Sequence, residues 1–423
     1  MLSRHYLRTA NKRHYSTFES LGISGSVTKR LKAKFNVTRP TLAQEQFIPV
    51  LVHGQRDLLI RDRTGTGKTF GTALTLASLI QPQQHGSVSS LYIVPNQELA
   101  YQITYWIQEL TDNSKHVQVM ADATTSLKED IPHTLIGTPG RILNCLDTLP
   151  IHRLERLILD EADQALSLPK RYATIRQQNK RLAHPKPTER LLDRLPKQHQ
   201  TLISSATLNR PLRHFLIRQK GWLRDPLFVD FAQNSQLKDD GDVIVRHHCL
   251  LISDTSIRNI RTQQEDETTL KKEVVDFDDT DDRMIESLAI LQEIEPVKNG
   301  ILFVGPTVSV SEVQEKLAKH NILAEDIKTY KPSQTHQSRL WIATEFAARG
   351  VDMPNVSHVF ILGKPASVTS YLHMAGRTGR LGPSGFGKGK VFNLVRAHGW
   401  NESKMLNLYN LLNIPTDPYE HVE

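Results

Sequence analysis

Two short stretches carry residue types that could handle a nucleoside triphosphate: Gly65-Thr66-Gly67-Lys68-Thr69 and Asp160-Glu161-Ala162-Asp163. Glycines at 65 and 67 let the backbone wrap closely enough for its N–H groups to cradle phosphate oxygens, and the N-terminus of a following helix adds positive potential. Lys68 then supplies a point charge to the β- and γ-phosphates, and the Thr69 hydroxyl completes the shell of a Mg²⁺ ion. Asp160 can hold that hydrated ion, and Glu161 can orient the water that attacks the γ-phosphate. Taken alone, the acidic string reads equally well as a chance run on a solvated loop. The phosphate loop upstream makes that reading the poorer one. The loop also has an oddity, because a strict G-x-x-x-x-G-K-T pattern asks for a small residue where Asp62 stands. With Arg63 and Thr64 it completes the segment facing the nucleotide, and Arg61 or Arg63 is available to neutralise its carboxylate.

These strings need a scaffold that brings them together. The apolar run 157–159 before the acidic string reads as a buried parallel strand, delivering carboxylates to the edge of a sheet where α/β proteins place ligands. A strand over 57–60 and a helix over 70–80 flank the phosphate loop in the same way. Further strands are expected at 90–94, 133–136, 156–159 and 200–203, and a second series at 300–304, 339–343, 358–362 and 390–395. Helix-like segments alternate with them, as parallel α/β sheets require. Apolar spacing disappears around 232–242, which places a linker between a first unit over 16–231 and a second over 243–423. Two segments look inserted: 170–199, rich in Lys, Arg, His and Gln, and 254–282, with Asp276, Asp278, Asp279, Asp281 and Asp282. Both read as solvated loops or disordered segments.

At 423 residues the chain is too long for one ordinary core, so two domains are expected. Lys plus Arg outnumber Asp plus Glu by 53 to 45, a net charge of +8 that suits a polyanionic partner as well as mere solubility. Cys145 and Cys249 are the only cysteines, too few for a disulfide framework or a cysteine-rich zinc site, and no apolar run approaches membrane-spanning length. Residues 1–18 carry Arg4, Arg8, Lys12 and Arg13, with no acidic residue until Glu19. That composition suits a mitochondrial transit peptide over 1–15, cut after Arg13-His14-Tyr15; a basic arm that grips RNA is the alternative.

The ordered series of short motifs resembles the DEAD-box RNA helicases from Phe18 to about Val395. The resemblance implies two tandem RecA-like α/β domains with parallel sheets, joined by a short linker. It makes Pro40-Thr41-Leu42-Ala43-Gln44 similar to the Q motif, with Gln44 reading the adenine edge and Phe18 helping to hold the base. Leu99 and Ala100 match the end of the first RNA-contact motif, and Thr138-Pro139-Gly140-Arg141 matches the second in full. Ser205-Ala206-Thr207 is similar to the motif that couples nucleotide state to domain closure. In the second unit, Thr344, Arg349 and Gly350 would face RNA and the catalytic core, and Asp352 the ribose. His373-Met374-Ala375-Gly376-Arg377-Thr378-Gly379-Arg380 resembles the sixth motif, with Arg377 and Arg380 as arginine fingers.

Departures accompany the matches. Asp62 and Arg63 stand for Ala and Gln, Asn96 and Gln97 for Thr and Arg, Met374 for Arg and Glu345 for Asp; paired glycines are missing from 121–126. The stretch between Phe303 and Thr344 is short by about one helix, the one that carries a Gln-x-x-Arg contact to RNA. The resemblance implies a monomeric enzyme using ATP and Mg²⁺ to remodel structured RNA. Its degraded motifs and basic leader are most similar to fungal mitochondrial members that serve assembly of the large ribosomal subunit on ribosomal RNA, with assembly factors as partners in the matrix. Splicing or RNA turnover, a non-enzymatic RNA scaffold with a weakened ATP site, and a DNA helicase stay open.

Overall fold

The computed structural model describes residues 16–61, 66–80, 86–111, 113–122, 125–169, 173–230, 238–239, 242–243, 245–261, 278–330, 339–348, 351, 353, 355–382, 385–412 and 414–422. The leader 1–15, Asp62, Arg63, Thr64, Gly65, Arg349, Gly350, Asp352 and most of the expected linker lie outside these residues.

Two RecA-like α/β domains follow one another. The first runs α1 (Gly25–Phe35), α2 (Leu42–His53), β1 (Leu58–Arg61), α3 (Lys68–Leu79), β2 (Ser90–Ile93), α4 (Gln97–Thr111), β3 (Val117–Met120), β4 (Thr134–Gly137), α5 (Pro139–Cys145), β5 (Arg156–Leu159), α6 (Ala162–Leu166), α7 (Ile175–Ala183), α8 (Pro187–Arg194), β6 (Gln200–Ser205), α9 (Arg210–His214) and β7 (Leu227–Asp230). Its strands lie in the order β3-β4-β2-β5-β6-β1-β7, and every pairing is parallel. Short runs such as Leu58-Leu59-Ile60 are apolar throughout because both faces are covered. Leu58 and Ile60 enter a core with Leu31, Phe47, Leu74 and Ile103. Leu59 enters the opposite core with Ile142, Leu157, Leu191 and Ile203.

Parallel strands need crossovers, so each strand's C-terminal end delivers its loop to the same edge of the sheet. Because β5, β6 and β1 are neighbours, the acidic string, the Ser205 string and the phosphate loop emerge side by side there. Two glycines make the approach possible. Gly67, the residue before α3, has φ 85°, which disfavours any side chain. A Cβ at Gly71 would stand 2.8 Å from Phe47 and 2.9 Å from Gln44, so the small residue lets α2 lie against α3.

The second domain contains two short pieces, β8 (Lys238–Asp239) and β9 (Asp242–Val243), then β10 (Val245–Ile252), β11 (Ile257–Asn259), α10 (Asp282–Ile294), β12 (Asn299–Val304), α11 (Val310–Ala318), β13 (Ala324–Asp326), β14 (Arg339–Thr344), β15 (His358–Leu362), α12 (Val368–Ala375), β16 (Leu381–Gly382), β17 (Gly385–Phe386), β18 (Gly389–Arg396) and α13 (Asn401–Leu412). Its sheet order is β11-β10-β18-β15-β12-β14-β13, with only the edge strand β11 antiparallel.

The expected strands all form, shifted by a residue at β1 and β4. The two inserted segments differ from the loops expected of them. Within 170–199 the chain builds α7 and α8, and α8 buries Leu191 and Leu192 against the core; each such leucine contributes roughly 1.5–3 kcal/mol. Within 254–282 lies β11, and Asp281 caps α10 by accepting Met284 N–H at 2.9 Å. Asp278 similarly holds Thr280 through N–H at 2.9 Å and hydroxyl at 2.7 Å. Part of the acidic cluster is therefore turn and cap chemistry. Between Phe303 and Thr344, α11 is the one α-helix among the described residues, with 331–338 outside them.

Candidate nucleotide site and interdomain seam

Asp160 sits just beyond β5, 2% exposed, and is the hub of the site. Its Oδ2 accepts the Thr69 hydroxyl at 2.6 Å and the Tyr92 phenol at 3.0 Å. Its Oδ1 accepts the Ser204 hydroxyl at 2.5 Å and Glu161 N–H at 2.9 Å. A buried carboxylate is tolerable only when such donors replace lost water. The sequence reading does not reach Tyr92 or Ser204. The signals for them are a phenol inside an otherwise apolar strand and a second serine beside Ser205. Burial, aided by the neighbouring Asp160 charge, raises the Tyr92 phenol well above its ordinary pKa, so it stays a donor.

Thr69 and Asp160 together present hard oxygen ligands of the kind Mg²⁺ takes, and Lys68, 8% exposed at the start of α3, precedes Thr69 in sequence. Glu161 begins the turn into α6 with φ 48°, a left-handed conformation unusual for a residue with a side chain. Burial raises its pKa, while His373 and Arg377 pull it down and Asp160 and Asp163 push it up. A carboxylate whose basicity is raised in this way is suited to polarise a water.

The remaining acidic residue of the string points to the other domain. Asp163 accepts a hydrogen bond from the Thr207 hydroxyl, and that same Thr207 oxygen lies 3.3 Å from the Thr369 hydroxyl on α12. Nearby, Gln164 Nε2 is 3.3 Å from the His373 ring nitrogens, and His373 is 3.7 Å from Glu345. Ser205 accepts Thr207 N–H at 3.1 Å and so shapes the turn. The structure thus sets Thr207 against α12 of the second domain and Gln164 against His373 of the sixth motif, next to the string that holds Asp160 and Glu161. Arg377 donates to Val351 O at 3.2 Å and already biases Glu161, whereas Arg380 Nε bonds Gly376 O at 3.1 Å. Met374 is 6% exposed in the second core, which explains an apolar residue at that place.

Three of the expected residues have uses inside the chain. Phe18 is 1% exposed inside the first core and offers no ring face to a base in this conformation. Gln44 uses its amide internally: Oε1 accepts Thr41 N–H at 2.9 Å in a capping box, and Nε2 donates to Gly67 O at 3.0 Å. With Thr41 Oγ1 donating to Thr66 O at 3.3 Å, the segment braces the phosphate loop. Arg61 is held by Asp230 across the β1·β7 register through two 2.8 Å bonds.

On the expected RNA face, Thr138 precedes α5, Pro139 and Gly140 begin it, and Arg141 donates to Thr125 O while its Nε is buried without a hydrogen-bond partner. Asn96 accepts Leu99 N–H at 2.9 Å, and Gln97 donates to Ala121 O at 2.9 Å. Asp122 accepts Thr125 N–H at 2.8 Å and the Tyr101 phenol at 2.7 Å. Thr344, ending β14, accepts Ala347 N–H at 3.1 Å. Asp62, Arg63, Thr64, Gly65, Arg349, Gly350 and Asp352 lie outside the described residues.

Comparison with known proteins agrees with this geometry. Residues 41–215 match the DEAD/DEAH box helicase family and 301–382 the helicase conserved C-terminal domain. The chain belongs to the DEAD-box RNA helicases, and as such it is an RNA-dependent ATPase. It is similar to the DEAD-box ATP-dependent RNA helicase RhpA of Helicobacter pylori, 27% identical over 391 residues, covering 88% of this chain and 69% of that protein. It is also similar to the ATP-dependent RNA helicase CshA of Listeria monocytogenes, 28% identical over 388 residues, covering 87% of this chain and 64% of that protein. In fold it is similar to S. cerevisiae Dbp5 bound to RNA and ADP BeF3, with TM-score 0.67, 22% identity and coverage of 95% of this chain and 94% of that one. Mss116p bound to ssRNA and AMP-PNP gives TM-score 0.68 at 20% identity, covering 97% and 82%. Among the described residues, no helix is long and apolar enough to cross a membrane.

Proposed function

We propose that the chain is a mitochondrial RNA clamp that remodels structured RNA, with ribosomal RNA of the assembling large subunit as its target and assembly factors as partners, acting as a monomer. The observation that carries the clamp is Thr207, whose hydroxyl lies between Asp163 of the nucleotide site and Thr369 of the second domain. A hydroxyl shared by both domains makes nucleotide state and domain closure two readings of one contact network, so ATP and RNA bind cooperatively. Lys68 and the backbone at Thr66 and Gly67 hold phosphates, and Glu161 orients and deprotonates water. Arg377 and Arg380 supply positive charge from the second domain once it closes. Thr69 and Asp160 fit a Mg²⁺ ion, which supplies charge neutralisation on the phosphates when bound.

RNA lies across both domains along Thr138, Pro139, Gly140, Arg141, Thr344, Arg349 and Gly350. Recognition through phosphates and 2′-hydroxyls makes it largely independent of sequence. The mitochondrial setting is supported by four basic residues and no acidic one before Glu19. Thr207→Val is expected to lower RNA stimulation of ATPase activity about tenfold while nucleotide binding without RNA persists, since one hydrogen-bonded contact to a charged group is worth roughly 1.5–3 kcal/mol. Undiminished stimulation in this variant would overturn the clamp reading. A reporter carrying residues 1–18 is expected to enter mitochondria, and uniform cytosolic fluorescence would overturn the location.

A further inference from the structure

The segment 170–199 holds nine Lys and Arg against two acidic residues, a net of +7 where the whole chain is +8. The insertion between the acidic string and Ser205 thus carries a larger local excess of positive charge than the +4 of residues 1–18. Its two carboxylates are already engaged. Glu189 is buried against Arg181, and Asp193 accepts Lys220 Nζ at 2.7 Å. Arg194 is paired with Asp147 at 2.5 Å. No described acidic side chain pairs with Arg176, Lys180, Arg190 or Lys197, and all four are exposed.

The helix presenting part of this charge is built but not packed. Thr174 and Gln177 close a capping box at the start of α7, yet none of its described side chains is buried, and Ile175 is 76% exposed. A helix polar nearly all round gains little from the core, so something else must account for its order. It is fastened at one point: Arg181 donates to Leu166 O at 2.8 Å, and the following α8 adds Thr188 donating to Ala165 O at 2.8 Å. Both anchors are on α6, the helix whose Gln164 touches His373 of the second domain. The insertion is thereby mounted on the domain seam.

We propose that α7 and the exposed edge of α8 form an accessory electropositive surface that docks the phosphate backbone of RNA outside the motif-lined path. Arg176, Lys180 and Arg190 are its main contacts. The surface rests on the RNA-helicase reading above. It supplies grip by charge, and therefore adds affinity that salt removes.

The test uses the full chain carrying Arg176→Gln, Lys180→Gln and Arg190→Gln together, beside a charge-conserving set Arg176→Lys, Lys180→Arg and Arg190→Lys. Affinity is measured for a short oligouridylate strand and for the same strand joined to a duplex, across a range of salt, with thermal unfolding to check the fold. The neutral set is expected to bind the longer RNA about tenfold more weakly at low salt, with a salt slope shallower by roughly two to three, while the conservative set keeps the wild-type slope. Equal slopes and affinities for the neutral set and wild type would overturn the surface. So would loss that appears equally in the conservative set, because that traces to structure and not to charge. Wild-type protein that binds neither RNA would instead remove the RNA reading on which the surface rests.

Discussion

The nucleotide edge and the RNA-facing edge of the first domain are built on the same sheet, yet they use their polar side chains in opposite ways. At the nucleotide edge, Thr69, Tyr92 and Ser204 all converge on Asp160, and Thr207 converges on Asp163. At the RNA edge, Asn96, Gln97, Asp122 and Arg141 turn back onto the chain, capping a helix or bonding to Ala121 and Thr125. The first arrangement concentrates charge where phosphoryl chemistry needs it. The second commits Asn96, Gln97 and Arg141, groups able to meet phosphate, to loop shape. Lys68, Thr69, Asp160 and Glu161 thus keep residue types suited to hydrolysis, Asp62 being the exception in the same region, while the polar groups at the RNA edge are engaged within the chain. That division gives the basic insertion a physical reason to exist.

The largest effect expected from this comparison is at Glu161. Glu161→Gln keeps shape but loses basicity, so RNA-stimulated turnover should fall by about 10²-fold or more while ATP and RNA still bind together. Full turnover in this variant would remove Glu161 from the chemistry. Its electrostatics add a second readout. Burial raises the folded-state pKa of Glu161, so ionising it costs more in the folded chain than in the unfolded one. The cost of keeping it ionised is therefore absent at pH below the unfolded carboxylate pKa and is fully present once pH has risen through the raised folded value. Glu161→Gln should melt above wild type at neutral pH, with the gap closing on acidification. A gap that widens in acid would contradict the burial argument.

Much of the nucleotide edge is legible in the sequence because it depends on local strings attached to short apolar runs. Lys68, Thr69, Asp160 and Thr207 each follow a strand whose apolar pattern fixes its place, and β5, β6 and β1 need only be neighbours for the strings to meet. What is not legible depends on distant contacts. Tyr92 reaches Asp160 from the adjacent strand, and its phenol in an apolar run signals a polar partner without saying which one. Gln44 and Phe18 sit in strings that resemble base-contacting ones, but capping geometry and core burial decide their orientation. The helix α7 escapes for a different reason: periodicity detects helices by their apolar stripe, and α7 offers only Ile175, Leu182 and Ala183. Its local signal is Thr174 with Gln177 three residues on.

Asp62 gives the next largest effect. Arg61 makes two hydrogen bonds to Asp230, so part of the positive charge next to Asp62 in sequence is already shared with another carboxylate. Asp62→Ala should tighten ATP binding at low salt by about 1 kcal/mol, or roughly fivefold, and the gain should shrink as salt screens the repulsion. Titrating nucleotide into both proteins at two salt concentrations checks this. Unchanged or weaker binding in the Ala variant at low salt would show that the carboxylate is neutralised by another group.

The smallest effect, and the sharpest probe of the RNA edge, is expected from Gln97→Arg. Gln97 lies at the first turn of α4, and its amide holds Ala121 O at 2.9 Å. An arginine there keeps a donor for that carbonyl while adding a charge beside Leu99 and Ala100. If reduced grip comes from missing cations, RNA affinity should rise a few-fold and the salt slope should steepen by about one. If instead local shape matters more, breaking the Gln97 hydrogen bond should loosen Ala121, and with it Thr125 and Arg141, and affinity should fall at every salt concentration. The two outcomes have opposite signs at low salt, so a single binding curve there separates them. The same substitution in the background lacking the Arg176, Lys180 and Arg190 charges should recover part of the lost affinity, because a new cation against phosphate at the RNA edge offsets those removed at the insertion.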